Sequence, residues 1–145
     1  MSSATKPRQR AGQEAWDLIR QLWTQVHFPR VMAVCAEYDL GKQQAFALVH
    51  LDPERPLPMS ELAAKMFCDA SNITGIADRL ESRGLVERVP AAHDRRVKTL
   101  ALTAEGEGVR EHLARRLNEP PPNLAALSAA DQRALRDILR RALDR

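Results

Sequence analysis

The sequence predicts a mainly helical α+β fold of about six helices and one β-hairpin. Three observations predict it. Apolar residues recur at helical spacing in separate segments, two short helical segments are joined by about three residues, and two β-prone runs follow before helical spacing resumes. A chain of 145 residues suffices for one domain with a core. Proline separates the segments. Pro7, Pro53, Pro56, Pro58, Pro90 and Pro120 to Pro122 fall outside the periodic stretches, as suits a residue without an N–H, and only Pro29 lies inside one.

From Gln13 to Tyr38, Trp16, Ile19, Trp23 and Val26 form one stripe and Ala15, Leu18 and Leu22 a second, a broad apolar face that calls for two packing partners. Pro29 predicts a kink or a short second piece. Gly41 is expected to stop this helix, and Lys42 to Leu51 reads as another. After the loop at 53–58, Ser60 suits the N-cap of a helix holding Leu62, Ala63 and Met66 and ending near Phe67. Asp69 can cap the next, running to Arg83 with Ile73, Ile76, Ala77 and Leu80 on one face and Gly84 just beyond its end. These two make a helix-turn-helix candidate. Leu85 to Val89 and Val97 to Leu102 read as a hairpin with the loop Pro90 to Arg96. Thr103 can cap a helix from Ala104 to Asn118, and Ser128 with Asp131 gives a capping-box pattern ahead of Leu135, Ile138, Leu139 and Ala142.

Composition excludes several classes. Apolar residues are 44% and charged residues 28%, as in ordinary globular chains. No apolar run approaches the ~20 residues of a spanning helix, and no apolar stretch follows Lys6, Arg8 and Arg10 as in a secretory signal, so no membrane partner and a cytoplasmic location are expected. Cys35 and Cys68 form neither a disulfide framework nor a C-x-x-C site. The net charge of +3 is a weak pointer to a polyanion, but its distribution says more: residues 11–87 sum to −4, while the eleven residues 88–98 sum to +3.

Catalysis needs convergent groups, and none are evident. There is no G-x-G-x-x-G, P-loop, H-E-x-x-H or G-x-S-x-G, and His27, His50, His93 and His112 stand singly, so neither an enzyme nor a metal or other cofactor is expected. Cys68 lies at a helix N-terminus, where the dipole favours a thiolate and Asp69 opposes it. It reads as a half-buried turn residue, with a thiol redox protein using Cys68 as the alternative from another class.

The helix from Asp69 carries Ala70-Ser71-Asn72 and Thr74-Gly75 opposite its apolar face. Asn pairs with adenine edges, Ser and Thr bond phosphates or bases, and Gly permits close approach. The hairpin tip, His93-Asp94-Arg95-Arg96, can present an arginine to a neighbouring minor groove. Each feature alone also fits a solvated surface; in this order they read as a surface that docks into a nucleic-acid groove.

Residues 59–108 resemble the winged helix-turn-helix core of the MarR family of transcriptional regulators. The resemblance is carried by S-E-L-A, N-I-T-G-I-A-D-R-L-E-S-R-G-L-V-E-R, the D-R-R of the wing and L-T-A-E-G at the next helix start. It extends loosely over residues 12–143. It implies a winged helix-turn-helix lobe at 57–103 flanked by N- and C-terminal dimerisation helices in 12–52 and 104–145, with residues 1–11 as a flexible tail. It further implies a homodimer on a double-stranded operator, acting as a repressor that a small aromatic or anionic effector relieves. Ser71, Asn72, Thr74, Gly75 and Arg79 then fall at recognition-helix positions. Arg96 is the wing arginine and Asp94 the acid that orients it, with His93, Arg95 and Lys98 beside them.

Two departures stand out: Gly75 replaces an arginine common in the family, and Phe67 fills a turn position often held by glycine, which suggests extra packing. The peroxide-sensing branch places its cysteine near the start of the first helix, whereas Cys35 lies near that helix's end. An effector pocket is implied where helices meet the DNA-binding lobe, with Trp23, His27 and Tyr38 as candidate lining, although all three suit core positions better and Trp23 in particular suits interface packing better. A winged-helix domain used for protein contacts is the alternative among binding proteins.

Overall fold

Five helices and a small sheet converge on one apolar core in which Val34, Leu48, Leu62, Leu80, Leu100 and Leu113 are wholly or almost wholly buried. The computed structural model describes residues 5–144, and the chain forms two compact units, Phe28–Leu117 and a second made of the chain up to His27 with the chain from Asn118 onward. In the first unit α2 (Phe28–Ala36), α3 (Lys42–His50) and α6 (Ala104–Asn118) bury Val34, Leu48 and Leu113 in the same core as the helix-turn-helix.

Three helices in the 28–117 unit end in the same way, and the residue at the left-handed position differs each time. α2 ends with Asp39 at φ 51°, the Leu40 N–H donating to Cys35 O at 3.0 Å. Gly41, expected to stop this helix, is instead extended and caps α3, its N–H donating to Gln44 Oε1. α4 (Met59–Lys65) ends with Phe67 at φ 51°, with Phe67 N–H to Ala64 O and Cys68 N–H to Ala63 O. α5 (Ala70–Ser82) ends as predicted with Gly84 at φ 69°, with Gly84 N–H to Glu81 O and Leu85 N–H to Leu80 O. Each pair of bonds satisfies carbonyls that a helix end leaves open.

Pro58, not Ser60, takes the cap position of α4; Ser60 is already helical and exposed. Pro58 closes a two-residue strand, β1 (Leu57–Pro58), too short to carry a readable period. β2 (Val86–Pro90) and β3 (Lys98–Leu102) form the predicted hairpin, and the antiparallel sheet has the order β1-β3-β2, with Leu57 opposite Leu100 and Arg88 opposite Leu100 from the other side. Thr103 caps α6 as predicted, accepting from Gly106 N–H at 3.0 Å while its hydroxyl donates to Gly84 O at 2.6 Å.

In the other unit, α1 (Thr5–Gln21) starts within the expected tail, so residues 5–11 are helical; residues 1–4 of that tail lie outside the described residues. The ladder widens into a π-helical segment, Leu22–His27, just before Pro29, whose missing N–H cannot continue it. A short α7 (Pro122–Ala125) was not foreseen; Pro122 opens it, where its missing donor costs nothing. Ser128 caps α8 (Ala129–Leu143), accepting from Asp131 N–H as the sequence pattern predicts. No side chain described in 10–27 or 118–144 is buried. Trp16, Leu18, Ile19 and Trp23 on one side, and Ile138, Leu139 and Leu143 on the other, are exposed apolar residues.

Candidate nucleic-acid interface

α5 is two-faced because Ile73, Ile76, Ala77 and Leu80 recur at helical spacing and bury themselves in the core. The opposite strip is exposed and holds Ser71, Asn72, Thr74, Gly75 and Arg79, the five residues read from the sequence. Thr74 Oγ1 donates back to Ala70 O at 3.0 Å and keeps its lone pairs outward. The side chains of Ser71, Asn72 and Arg79 make no hydrogen bond or ion pair with any described residue. Gly75 has nothing within 4 Å of where a Cβ would stand.

The wing between β2 and β3 is shaped by its own backbone. Asp94 Oδ1 accepts from the Arg96 N–H at 2.9 Å, Val97 N–H donates to Asp94 O at 3.0 Å, and Ala91 N–H donates to Val97 O at 2.9 Å. The resemblance had Asp94 orienting the arginine. The bond goes to the Arg96 backbone, so Asp94 sets the turn and leaves the guanidinium unattached. His93, Arg95, Arg96 and Lys98 are all exposed, and their side chains meet no acceptor among the described residues.

Arg88 on β2 behaves differently from those wing cations. Its guanidinium binds Asp78 and Glu81 of α5, and its N–H donates to Glu81 Oε1 at 3.2 Å. The hydrogen bond to Asp78, with the charges of both carboxylates, pushes its pKa above the ordinary arginine value. Arg88 thereby ties the wing to the recognition helix. Sequence reading counted it only as part of the basic segment, although Asp78, Glu81 and Arg88 all lie within the resembling motif. Likewise Arg83, the residue that follows α5, bonds the turn after α2, donating to Tyr38 O at 2.7 Å. The basic segment thus separates into one structural cation and an unpaired cluster that, with Arg79, can face phosphates.

The residues suggested for an effector pocket divide between the units. Trp23 and His27 meet with ring centroids 4.4 Å apart, beside a shallow open hollow lined by Trp16, Ile19, Arg20 and Trp23. Tyr38 belongs to the 28–117 unit, where its ring meets His112 edge-on at 5.4 Å. Glu37 lies 3.4 Å from His112 Nε2 and 3.2 Å from Arg116 there. Seventy-five positions separate Glu37 from His112, so no spacing in the sequence announces that cluster. Phe67, expected to add packing, is instead 98% exposed.

Cys35 is buried and Cys68 half-buried, both as free thiols. Burial pushes the Cys35 thiol above its ordinary range. Among the described residues no cluster of His, Cys, Asp or Glu could hold a metal ion, and no helix is long and apolar enough to cross a membrane.

A helix-turn-helix followed by a hairpin that projects unpaired cations defines a winged helix-turn-helix protein. Comparison with known proteins agrees. The sequence profile of the MarR family matches residues 40–98. The transcriptional repressor MprA of Escherichia coli K12 is 36% identical over 102 residues, covering 68% of this chain and 58% of MprA. The solved structure of a MarR family protein from Bacillus stearothermophilus is 27% identical with a TM-score of 0.75, covering 92% of this chain and 94% of that one. A probable transcriptional regulator from Pseudomonas aeruginosa is 31% identical with a TM-score of 0.60, over 87% and 94%. The chain belongs to the MarR family. It spans about half the length of the curated relatives it matches, which are transcriptional regulators or repressors and not enzymes.

Proposed function

We propose that the chain is a sequence-specific DNA-binding transcriptional regulator that acts as a homodimeric repressor and is relieved by a small molecule. One observation carries the DNA-binding part: an exposed polar strip, Ser71, Asn72, Thr74, Gly75 and Arg79, stands on the same compact unit as a wing whose Arg95, Arg96 and Lys98 side chains meet no acceptor among the described residues. Polar groups of that kind read base edges in a groove, and unpaired cations neutralise phosphates. The repressor named among its relatives supports the direction of control.

The dimer reading rests on apolar surface that the chain leaves uncovered. An apolar furrow along α7 and α8 is lined by Leu124, Leu127, Leu135, Leu139 and Leu143, while α1 exposes Trp16 and Ile19 and the π-helical segment after it exposes Trp23. Soluble proteins seldom leave this much contiguous apolar surface bare, and a second copy is the partner always at hand. Two-fold symmetry sets recognition helices about 34 Å apart, so the operator is a pseudo-palindrome with half-site centres about ten base pairs apart. The exposed Trp23 ring, tilted against His27 beside an open hollow, supports an aromatic or anionic effector, which acts only through different affinities for two states.

Selection from a library of random DNA duplexes tests the core of this reading. The expected product is a pseudo-palindromic consensus; enrichment of no sequence over random duplex rejects DNA recognition. Sedimentation at micromolar concentration is expected to give twice the 16.3 kDa chain mass, and a monomer alone rejects the dimer. A ligand that binds tightly without changing operator affinity is not the effector.

A further inference from the structure

Among the described residues no large apolar side chain is as exposed as Phe67, at 98%. It also occupies the left-handed backbone region, φ 51°, where a β-carbon crowds the neighbouring carbonyl and which glycine takes without penalty. The same helix ending at α5 uses Gly84, and that at α2 uses Asp39, a residue type whose short polar side chain tolerates the conformation. The inward contact of the α4 ending is made by Cys68, which packs against the core. Phe67 therefore strains the turn and returns no packing to the fold.

Its position gives a reason for keeping it. Phe67 stands two residues ahead of the α5 cap residue Asp69, at the end of the helix that carries exposed Ser71 and Asn72. Its exposed chain neighbours are Ala64, Lys65, Asp69 and Ala70, and the other exposed large apolar residues described lie on other elements, so the ring is a single large apolar group rather than part of a broad patch. Protein partners are met by apolar patches rather than by such a single group. A major groove, by contrast, presents one apolar feature among its donors and acceptors, the thymine 5-methyl group, and a phenyl ring is among the groups that recognise it.

We infer that Phe67 is a sequence-reading residue whose ring meets the 5-methyl group of a thymine in the operator. This rests on the DNA-binding reading proposed above. It also offsets the base-reading side chain that Gly75 lacks.

The test uses the duplex selected by the wild-type full chain from a random library, and the same duplex with uracil replacing thymine at one position at a time, which removes only the methyl group. F67G relieves the left-handed strain, and F67N keeps a side chain that tolerates it. At one thymine, uracil is expected to weaken wild-type binding about 3–10-fold, the effect of partly burying a phenyl ring. Both variants are expected to bind the thymine duplex weaker by the same factor and to be indifferent to uracil. F67G is expected to melt a few degrees higher than wild type. Variants that bind the selected duplex as wild type does, uracil effects equal in all three proteins, or a lower melting temperature for F67G each overturn the inference. If the wild type selects no sequence, the DNA-binding reading has failed and this inference falls with it.

Discussion

The carbonyl oxygen of Leu85 occupies the place where a side chain on Gly106 would begin: a β-carbon there would stand 1.8 Å from that oxygen. The contact lets α6 start against the segment that leaves α5, with Thr103 bonded to both sides. Gly106→Ala forces this backbone apart and is expected to destabilise the protein by about 3 kcal/mol. Urea denaturation measures it; a loss below about 1 kcal/mol would mean that the joint yields easily.

The glycines of α5 should respond in opposite directions. Gly75 is mid-helix with open space around it, so Gly75→Ala is expected to raise stability by about 0.5–1 kcal/mol. Gly84 sits at φ 69°, and Gly84→Ala is expected to lower stability by about 1 kcal/mol. Gly75→Arg fits without a clash and adds a cation to the strip. It should tighten binding to DNA of any sequence and steepen the salt dependence by about one unit of log affinity per log salt.

Asn72 and Arg96 should separate by salt. Asn72→Ala removes paired hydrogen bonds to a base edge, costing about 1–3 kcal/mol on the selected operator and little on random duplex, with the salt slope unchanged. Arg96→Ala should weaken both duplexes and make the slope shallower by about one unit. Asp94→Ala loses the bond to the Arg96 N–H, so it loosens the wing turn while the arginine keeps its charge. It should weaken binding less than Arg96→Ala and leave the slope near the wild-type value. Fluorescence anisotropy between about 50 and 200 mM salt covers the range in which counterion release is large.

The two thiols should differ in reactivity. Burial holds the Cys35 pKa above its ordinary value, so less thiolate is present at any given pH, and the group is also inaccessible. A thiol reagent at pH 8 should modify Cys68 in the native protein and Cys35 only after denaturant is added. Two equally fast thiols would show that the 28–117 core opens readily.

Much of this arrangement is legible in the residues because apolar spacing marks the inside. Ile73, Ile76, Ala77 and Leu80 identify the buried face of α5, and the exposed strip is then whatever lies opposite. Caps made by side chains were legible too, as at Thr103 and Ser128. Short elements were not: β1 has two residues and α7 four, about one period each, so no recurrence can be seen. Helix ends were misread where a residue other than glycine took the left-handed position, so Gly41 was given the task of Asp39 and Phe67 was credited with packing. The resemblance implied that Asp94 orients the wing arginine, and spacing alone does not say that its carboxylate takes the Arg96 amide N–H. Arg88 looked like one more cation, since spacing alone does not say that both its partners lie on the facing helix.

A single hydroxyl, that of Thr103, bonds the end of α5 to the start of α6. Its mechanical effect is that of a weld. The hydroxyl holds the end of the recognition helix against the start of α6, and Arg88 holds the same helix against the sheet. Compliance in this unit belongs instead to segments such as Asp52–Pro56, which lie outside the helices and strands. Such a joint confines the relative movement of the two helix ends to what one shared hydroxyl allows.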